Sequence, residues 1–499
     1  MAENPKTSTF EEEADNDDSS LSSSDDLKCV KLSLPKNIAA YVDKRELQRD
    51  VNPITCDNDL VEKVMNNYVI VKRILRVLSW QEKMICKHVC SLWHSAVLAL
   101  LREQQGPADC VIALQHASSK SIMKFKQSGI LYNEPLAVLT FANEMGFNMS
   151  HKCRSISPYP CSPPCSYEHT MVDVLQNNVS APKNCMLAVR SNCISFMSLP
   201  SSPTYEFKIT QKMFLRPNPF ISCLYIPMMP DVEFKVISIR NVEEMQKKFY
   251  DVIDELEKKY IFKTVLAYVT EAFLFHSVEE VVFLNYLKKV QPDIPYALGG
   301  CIVEDVIYDT KSIADIVKSN NENVEFVSGS LVNVGLFLVP KDSNRSNFDS
   351  FSLILNSSEW AKARIQKSIN EVCIQCLIIV KDTEELYKCS LCNDDLINLQ
   401  FANMVPQFEH SIALKLSCVG RDQKHEIELK YFRAAFPHTR IIGCYGNGEL
   451  GLNHPERSNT DTGAKRYRYD PGEQFGIMYS YSTVFVYIGW GKLLSTSDT

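Results

Sequence analysis

The sequence predicts an α+β fold: a small N-terminal helical unit followed by a two-part body of mixed strands and helices. Three observations point there. From Asp57 to Leu101 the apolar residues recur at helical spacing, first at Val61, Val64, Met65, Tyr68, Val71, Ile74, Leu75 and Leu78, then at Ile85, Val89, Leu92, Trp93, Ala96, Val97 and Leu100. From Cys110 onward the pattern changes to short apolar runs bounded by turn residues, such as Cys110–Leu114, Leu136–Ala142 and Phe220–Ile226, which read as buried strands. These runs alternate irregularly with helical stretches such as Val242–Tyr260 and Ile427–Pro437, which favours a mixed body in two related halves over a doubly wound sheet.

In the helical stretch, Ser79 and Glu82 stand at capping-box spacing. The serine hydroxyl accepts from a free amide of the second helix and the glutamate reaches back, so two helices joined by a tight turn are expected. So short a unit cannot bury all its own apolar surface, and it either caps the following domain or holds a partner.

At 499 residues the chain has room for two or three domains. Its 45% hydrophobic and 23% charged content is that of an ordinary water-soluble globular protein. A net charge of −7 argues against a broad electrostatic grip on nucleic acid. Charged residues interrupt every apolar run before membrane-spanning length, and the first residues lack a basic-then-apolar signal, so a cytoplasmic or nuclear protein is expected. The 18 cysteines then read as reduced thiols, several of them (Cys110, Cys223, Cys301, Cys444) packed as small hydrophobes.

The expected organisation is an acidic, serine-rich disordered tail and arm over 1–56, the helical unit over 57–104, and body halves over 108–306 and 313–492. The second half carries strand candidates at Val324–Pro340 (two strands around Ser328–Ser330), Phe351–Leu355, Cys373–Val380, His410–Arg421, Arg440–Gly451 and Phe475–Gly491. A helix is expected over Ser357–Val372.

The most distinctive line is Gly443 to Gly451, whose glycines permit positive φ and close approach to a ligand or another chain. No helix with Lys-Ser or Lys-Thr follows, which rejects a phosphate loop. Arg421, Gly446, Asn447, Gly448 and Glu449 are the candidate ligand- or substrate-binding residues, with Glu449 either a ligand contact or a capping carboxylate. Cys373, Cys376, Cys389 and Cys392 have zinc-ribbon-like spacing, but the first pair lies in an apolar strand whose alternate residues face opposite sides. Cys153, Cys161, Cys165 and His169 fit no regular zinc module. No metal and no cofactor are therefore expected. No nucleophile elbow and no supported Cys–His pair occurs, so no catalytic residue is assigned.

Ile74-Leu75, Leu78 and Val89-Cys90-x-x-Trp93 resemble the body of an F-box, with Asn66-Asn67 where that family usually has Leu-Pro. Ser417–Arg421, Phe432-Arg433, Phe436-Pro437, Gly443, Gly446–Gly451 and Tyr479–Thr483, in that order, resemble a C-terminal FIST domain. The resemblance implies a non-catalytic substrate receptor of a Skp–cullin–F-box ubiquitin ligase. Ile74, Leu75, Leu78, Val89 and Trp93 would then hold the Skp-type adaptor, with the cullin scaffold beyond it and protein targets on the FIST-like body. Neither nucleic acid nor membrane is expected as a partner. The alternative is a small-ligand-sensing body with the helices as a cap and no ligase role.

Overall fold

The computed structural model describes residues 58–117, 120–148, 150–152, 168–171, 185–191, 193–209, 218–276, 281–303, 330–343, 347–355, 407–454 and 477–494, with Leu175, Val179 and Ile365 between them. The expected tail and arm, the strand Cys373–Val380, and Cys153, Cys161, Cys165, Cys373, Cys376, Cys389 and Cys392 lie outside the described residues. The fold is α+β, with a helical unit ahead of a body built from mixed sheets.

The helical unit has four helices where two were expected: α1 Asn58–Met65, α2 Tyr68–Leu75, α3 Trp80–Cys86 and α4 Ser91–Glu103. The first break falls at Asn66-Asn67, because the Asn67 carboxamide oxygen accepts from the amides of Val69 and Ile70 and starts a new helix. The Ser79–Glu82 capping box is present at the start of α3. The second break lies between Cys86 and Ser91. Val71, Leu75, Ala96, Val97 and Leu100 form the unit's own small core. The unit is seated on the body, not separate from it. Trp80 is buried among residues of the first sheet, its amide donates to Leu131 O at 2.9 Å, and buried Lys83 donates to Tyr132 O at 3.0 Å. Burial pushes the Lys83 ammonium down to about 8. Asn133 Nδ2 donates to Leu101 O at 2.7 Å, and Trp490 Nε1, from the far end of the chain, to Gln105 O at 2.8 Å.

The body runs β1 Ala108–Ala117, β2 Lys120–Gln127, β3 Pro135–Ala142, α5 Glu144–Asn148, β4 Ser150–Lys152, β5 Glu168–Thr170, β6 Met186–Arg190, β7 Cys193–Met197 and β8 Phe220–Pro227. Next come β9 Glu233–Ile239, α6 Asp251–Glu257, β10 Tyr260–Thr270, α7 Glu271–His276, α8 Asn285–Val290, β11 Ala297–Val303 and β12 Val332–Pro340. The last group is β13 Phe348–Leu355, β14 Gln407–Cys418, α9 His425–Ala435, β15 Arg440–Gly446, β16 Glu449–Gly451, β17 Met478–Tyr479 and β18 Thr483–Leu494. The helix expected over Val242–Tyr260 is helical but broken, with 3-10 and π turns before α6. The expected strand His410–Arg421 ends at Cys418, which leaves Arg421 in a 3-10 turn.

Three large sheets share one plan, so the body has three equivalent units instead of two halves. Their central orders are β1-β8-β3-β6, β9-β12-β10-β11 and β13-β18-β14-β15. In each, the first strand of a unit pairs antiparallel with its last, the last antiparallel with its second, and the second parallel with its third. A parallel pair requires a crossover, supplied by α7 and α8 in the second unit and by α9 in the third. The expected cut at 306/313 is not kept, since β12 pairs with β9 and β10. The units are also stitched at their edges: β7 pairs with β15, and β16 with β11.

Strands β3, β6, β8 and β11 are buried throughout because both of their faces are covered. One face of each sheet meets a shared central core that contains Phe141, Leu187, Leu266, Tyr268, Leu416 and Val486. The other face of the second sheet packs Val265, Ala267 and Val269 on its helices, and the other face of the third packs Ala413 and Phe485 against Leu429 and Phe432 of α9. Alternation along a strand therefore sorts residues between the shared core and the helix layer.

Candidate functional site

The outer surface of the helical unit is the first candidate. Around α2, Val71 and Leu75 point inward, while Ile70, Ile74 and Val77 form an exposed ridge at i, i+4, i+7 spacing. Val69 is 72% exposed and Val77 64%, and Leu60, Val61, Tyr68 and Val89 are exposed as well. Single exposed apolar residues are ordinary, but seven between Leu60 and Val77, with Val89 beyond them, make an apolar surface of the kind that docks a partner. The five residues expected to hold an adaptor divide. Ile74, at 44%, and Val89, at 49%, are open to a partner; Leu78 and Trp93 are half-buried against the unit's core; Leu75 is fully buried and belongs to that core. Leu75 is thus corrected from a partner contact to a packing residue. Val69, Ile70 and Val77 fall outside the periodic apolar series read from the sequence, although Ile74 of the same ridge falls within it.

The second candidate is the polar cluster where β14, α9, β15 and β18 meet. Lys415, Ser417, Arg421, His425, Glu428, Glu449, Ser482 and Thr483 are all buried. Glu428 is its hub. It accepts from Arg421 Nε at 3.0 Å and Nη2 at 2.6 Å on Oε1, and from Thr483 Oγ1 at 2.9 Å on Oε2, with Lys415 Nζ 3.1 Å from Oε2. Lys415 Nζ donates to Ser417 Oγ and to Tyr445 OH, both at 2.8 Å. Ser417 and Thr483 hydroxyls lie 2.7 Å apart, which closes a ring through Glu428. His425 Nε2 lies 2.7 Å from Ile209 O, an acceptor only, so this nitrogen carries the proton and Nδ1 accepts from Tyr445 OH at 2.6 Å. Burial pushes the His425 imidazole down to about 3, assisted by the Lys415 charge, and burial also lowers the Lys415 ammonium. Lys415 and Ser417 are close enough for proton transfer, but Lys415 is spent on Glu428 and both side chains are sealed from solvent. The cluster clamps the β14–α9–β15 crossover to β18.

The glycine-rich turn does not form an open cradle. Arg421 is held by Glu428 and by Tyr481 O at 3.1 Å, so it is not directed at a ligand. Gly446, Gly448 and Glu449 are buried, and only Asn447 is exposed, where its Nδ2 donates to Glu271 Oε1 at 2.5 Å. Neither Gly446 nor Gly448 has positive φ. They are glycine because the turn lies against the end of β11: a Cβ on Gly446 would sit 2.4 Å from Ile302 O, and one on Gly448 2.8 Å from Ile302 Cδ1. Backbone cannot retreat, whereas the tip of an isoleucine can. Gly446→Ala is therefore expected to lower stability by about 1–3 kcal/mol, and Gly448→Ala by clearly less, in equilibrium denaturation. Equal losses would contradict this packing account.

Glu449 is a capping carboxylate, the second of the roles expected for it. Its Oε2 accepts from Ser482 N at 3.1 Å and Ser482 Oγ at 2.5 Å, and the Cys418 thiol lies close enough to donate to the same carboxylate. Burial pushes its carboxyl up to about 7 against the opposing pull of the Ser482 bonds. The folded value lies above the unfolded one, 4.5, so this contribution to stability is complete below pH 4.5 and is lost as pH rises through 7. Glu449→Gln should remove that slope. Between pH 4.5 and pH 8 the variant should gain roughly 3 kcal/mol relative to wild type in urea unfolding. Parallel stability curves would show that the carboxyl titrates normally.

Among the described residues no group of three or more metal-ligating side chains occurs. His169 lies in β5, paired with His151 of β4. No helix among them is long and apolar enough to cross a membrane.

No protein-family model matches the chain, and no curated protein matches it. Among solved structures it is similar to the crystal structure of cyanuric acid hydrolase from A. caulinodans, with a TM-score of 0.28 and 7% sequence identity over 72% of this chain and 92% of that one. A likeness at that level carries no argument about fold or chemistry here.

Proposed function

We propose that the chain is a non-catalytic substrate-recognition subunit of a Skp–cullin–F-box ubiquitin ligase, presenting protein targets for ubiquitination and proteasomal degradation. The observation that carries this reading is the exposed Ile70–Ile74–Val77 ridge with Val69 beside it and Val89 nearby on the unit. A ridge at that spacing suits a groove between helices of a partner, with a few aliphatic anchors supplying most of the affinity. The seating of α3 on the first sheet through Trp80 and Lys83 supports it further, because a receptor must hold its target at a fixed orientation to the ligase. The compartment that fits is cytoplasm or nucleus. The test is affinity purification of the full chain from cells with all stable partners identified. A Skp-type adaptor and a cullin in stoichiometric amount are expected. A folded chain recovered without either would leave the helical unit as a cap on the body and end the ligase reading.

A further inference from the structure

The three sheets lend strands to one another in a cycle. β6 of the first unit is followed after two residues by β7, which adds antiparallel to β15 of the third. β15 is followed after two residues by β16, which adds antiparallel to β11 of the second. The cycle calls for one more member, a strand after β11 added to β6 of the first. Among the described residues β6 pairs with β3 only. Yet it is buried along its whole length, Met186 to Arg190, and buried backbone groups on a strand edge need partners.

Register names the segment. Val189, Cys301 and Cys444 lie opposite Phe141, Tyr268 and Leu416 on the second strands of their units. These rows sit at one level of the shared core. The Phe141 and Tyr268 rings meet edge to face at 5.9 Å. One step along, Gly299, opposite Leu266, abuts Val486, opposite Leu414. Five residues beyond Val189, Ile194 opposes Cys444, and five beyond Cys444, Glu449 opposes Cys301. Five beyond Cys301 stands Val306, and the same step puts it opposite Val189. Antiparallel pairing then sets Asp305 opposite Arg190, Ile307 opposite Ala188 and Tyr308 opposite Leu187.

The residue types suit those places. Val189 and Leu187 face the shared core, where β7 supplies Ile194 and Phe196 at the corresponding positions; Val306 and Tyr308 repeat that order, aliphatic then aromatic. Val306-Ile307-Tyr308 is a β-branched and aromatic run. Asp305 brings a carboxylate opposite the buried Arg190.

We propose that the edge of β6 is the docking site for this chain's own residues 305–309, added as an antiparallel strand with Val306 opposite Val189. Each sheet then carries a strand lent by another unit, and none offers that edge to a target or a second copy. The adaptor reading neither requires this nor follows from it.

The test is engineered cross-linking with amide hydrogen exchange on the full chain. Ile302 N donates to Gly448 O at 2.8 Å and Leu452 N to Leu298 O at 3.3 Å, so Cys301 and Glu449 form a non-hydrogen-bonded pair, the closer kind. Val189 and Val306 should match it, at about 4.5 Å between Cα atoms, within disulfide range. Val189→Cys with Val306→Cys, treated with glutathione disulfide, should link within one chain by peptide mapping. Val189→Cys with Ile307→Cys, whose second thiol faces away, should not. In wild type, exchange over 305–309 should be about a hundredfold or more slower than in a free peptide. Free-peptide rates there, no link in the Val306 pair, equal linking in both pairs, or a link between two chains, which seats a second copy on the edge, overturns the proposal. If the cysteine variants do not fold, Ile307→Pro decides: it removes the amide opposite Ala188 and should speed exchange over Leu187–Val189. Unchanged exchange there overturns the proposal as well.

Discussion

Glu428→Ala should destabilise the chain by about 3–5 kcal/mol, enough to unfold the third unit of a marginally stable body. The Lys415 ammonium and the Arg421 guanidinium would then face each other's surroundings with no carboxylate between them, inside a region with no exposed side-chain surface. The loss measures the cost of uncompensated charge and not the net value of the pairs. The companion experiment separates the two. Lys415→Met with Arg421→Met and Glu428→Leu removes all three charges together, and should recover most of the loss. Chemical denaturation of both variants at one pH decides the matter. If the triple variant is as unstable as Glu428→Ala, the cluster acts through specific hydrogen bonds to Ser417, Thr483 and Tyr445, and the charge argument fails.

Little of that cluster was legible beforehand. Lys415 sits inside an apolar strand, where it reads as an ordinary strand interruption. Glu428 sits on an amphipathic helix, where it reads as solvent-facing. Only the fold brings β14, α9 and β18 together, and nothing at short range encodes that. The strands were legible because they are buried on both faces and so read as continuous apolar runs, as in Leu136–Ala142 and Phe220–Ile226. The threefold plan was not, because equivalence lies in pairing order, and the three units carry different insertions between equivalent strands. The glycine turn stands out by composition, and close approach is one of the two uses expected for its glycines, but the approach is to Ile302 of the same chain and not to a ligand, and neither Gly446 nor Gly448 uses positive φ.

Ile70→Asp with Ile74→Asp should weaken binding of a Skp-type adaptor by at least about 3 kcal/mol, on the order of a hundredfold in Kd. Both side chains point outward, so the four helices should keep their packing, and circular dichroism and melting should be near wild type. Leu75 makes a poor probe of the same surface. Leu75→Ala removes a fully buried side chain from a core of five residues, costs about 2–5 kcal/mol, and would lower affinity by unfolding the unit whether or not the unit binds anything. The aspartate pair therefore discriminates where the core variant cannot. The substitutions leave the body unaltered, so the aspartate variant should still capture protein targets. Those targets should accumulate in cells because the cullin is no longer recruited. Unchanged adaptor affinity in the aspartate variant would move the docking surface off this ridge.

The most direct measurement is a calorimetric titration of a purified Skp-type adaptor into the wild-type chain, followed by amide hydrogen exchange on the mixture. The account predicts a saturable one-to-one complex in which protection rises over Leu60–Val77 and around Val89, with the body strands unchanged. No heat of binding and no added protection, from a chain whose helices are folded by circular dichroism, would contradict it.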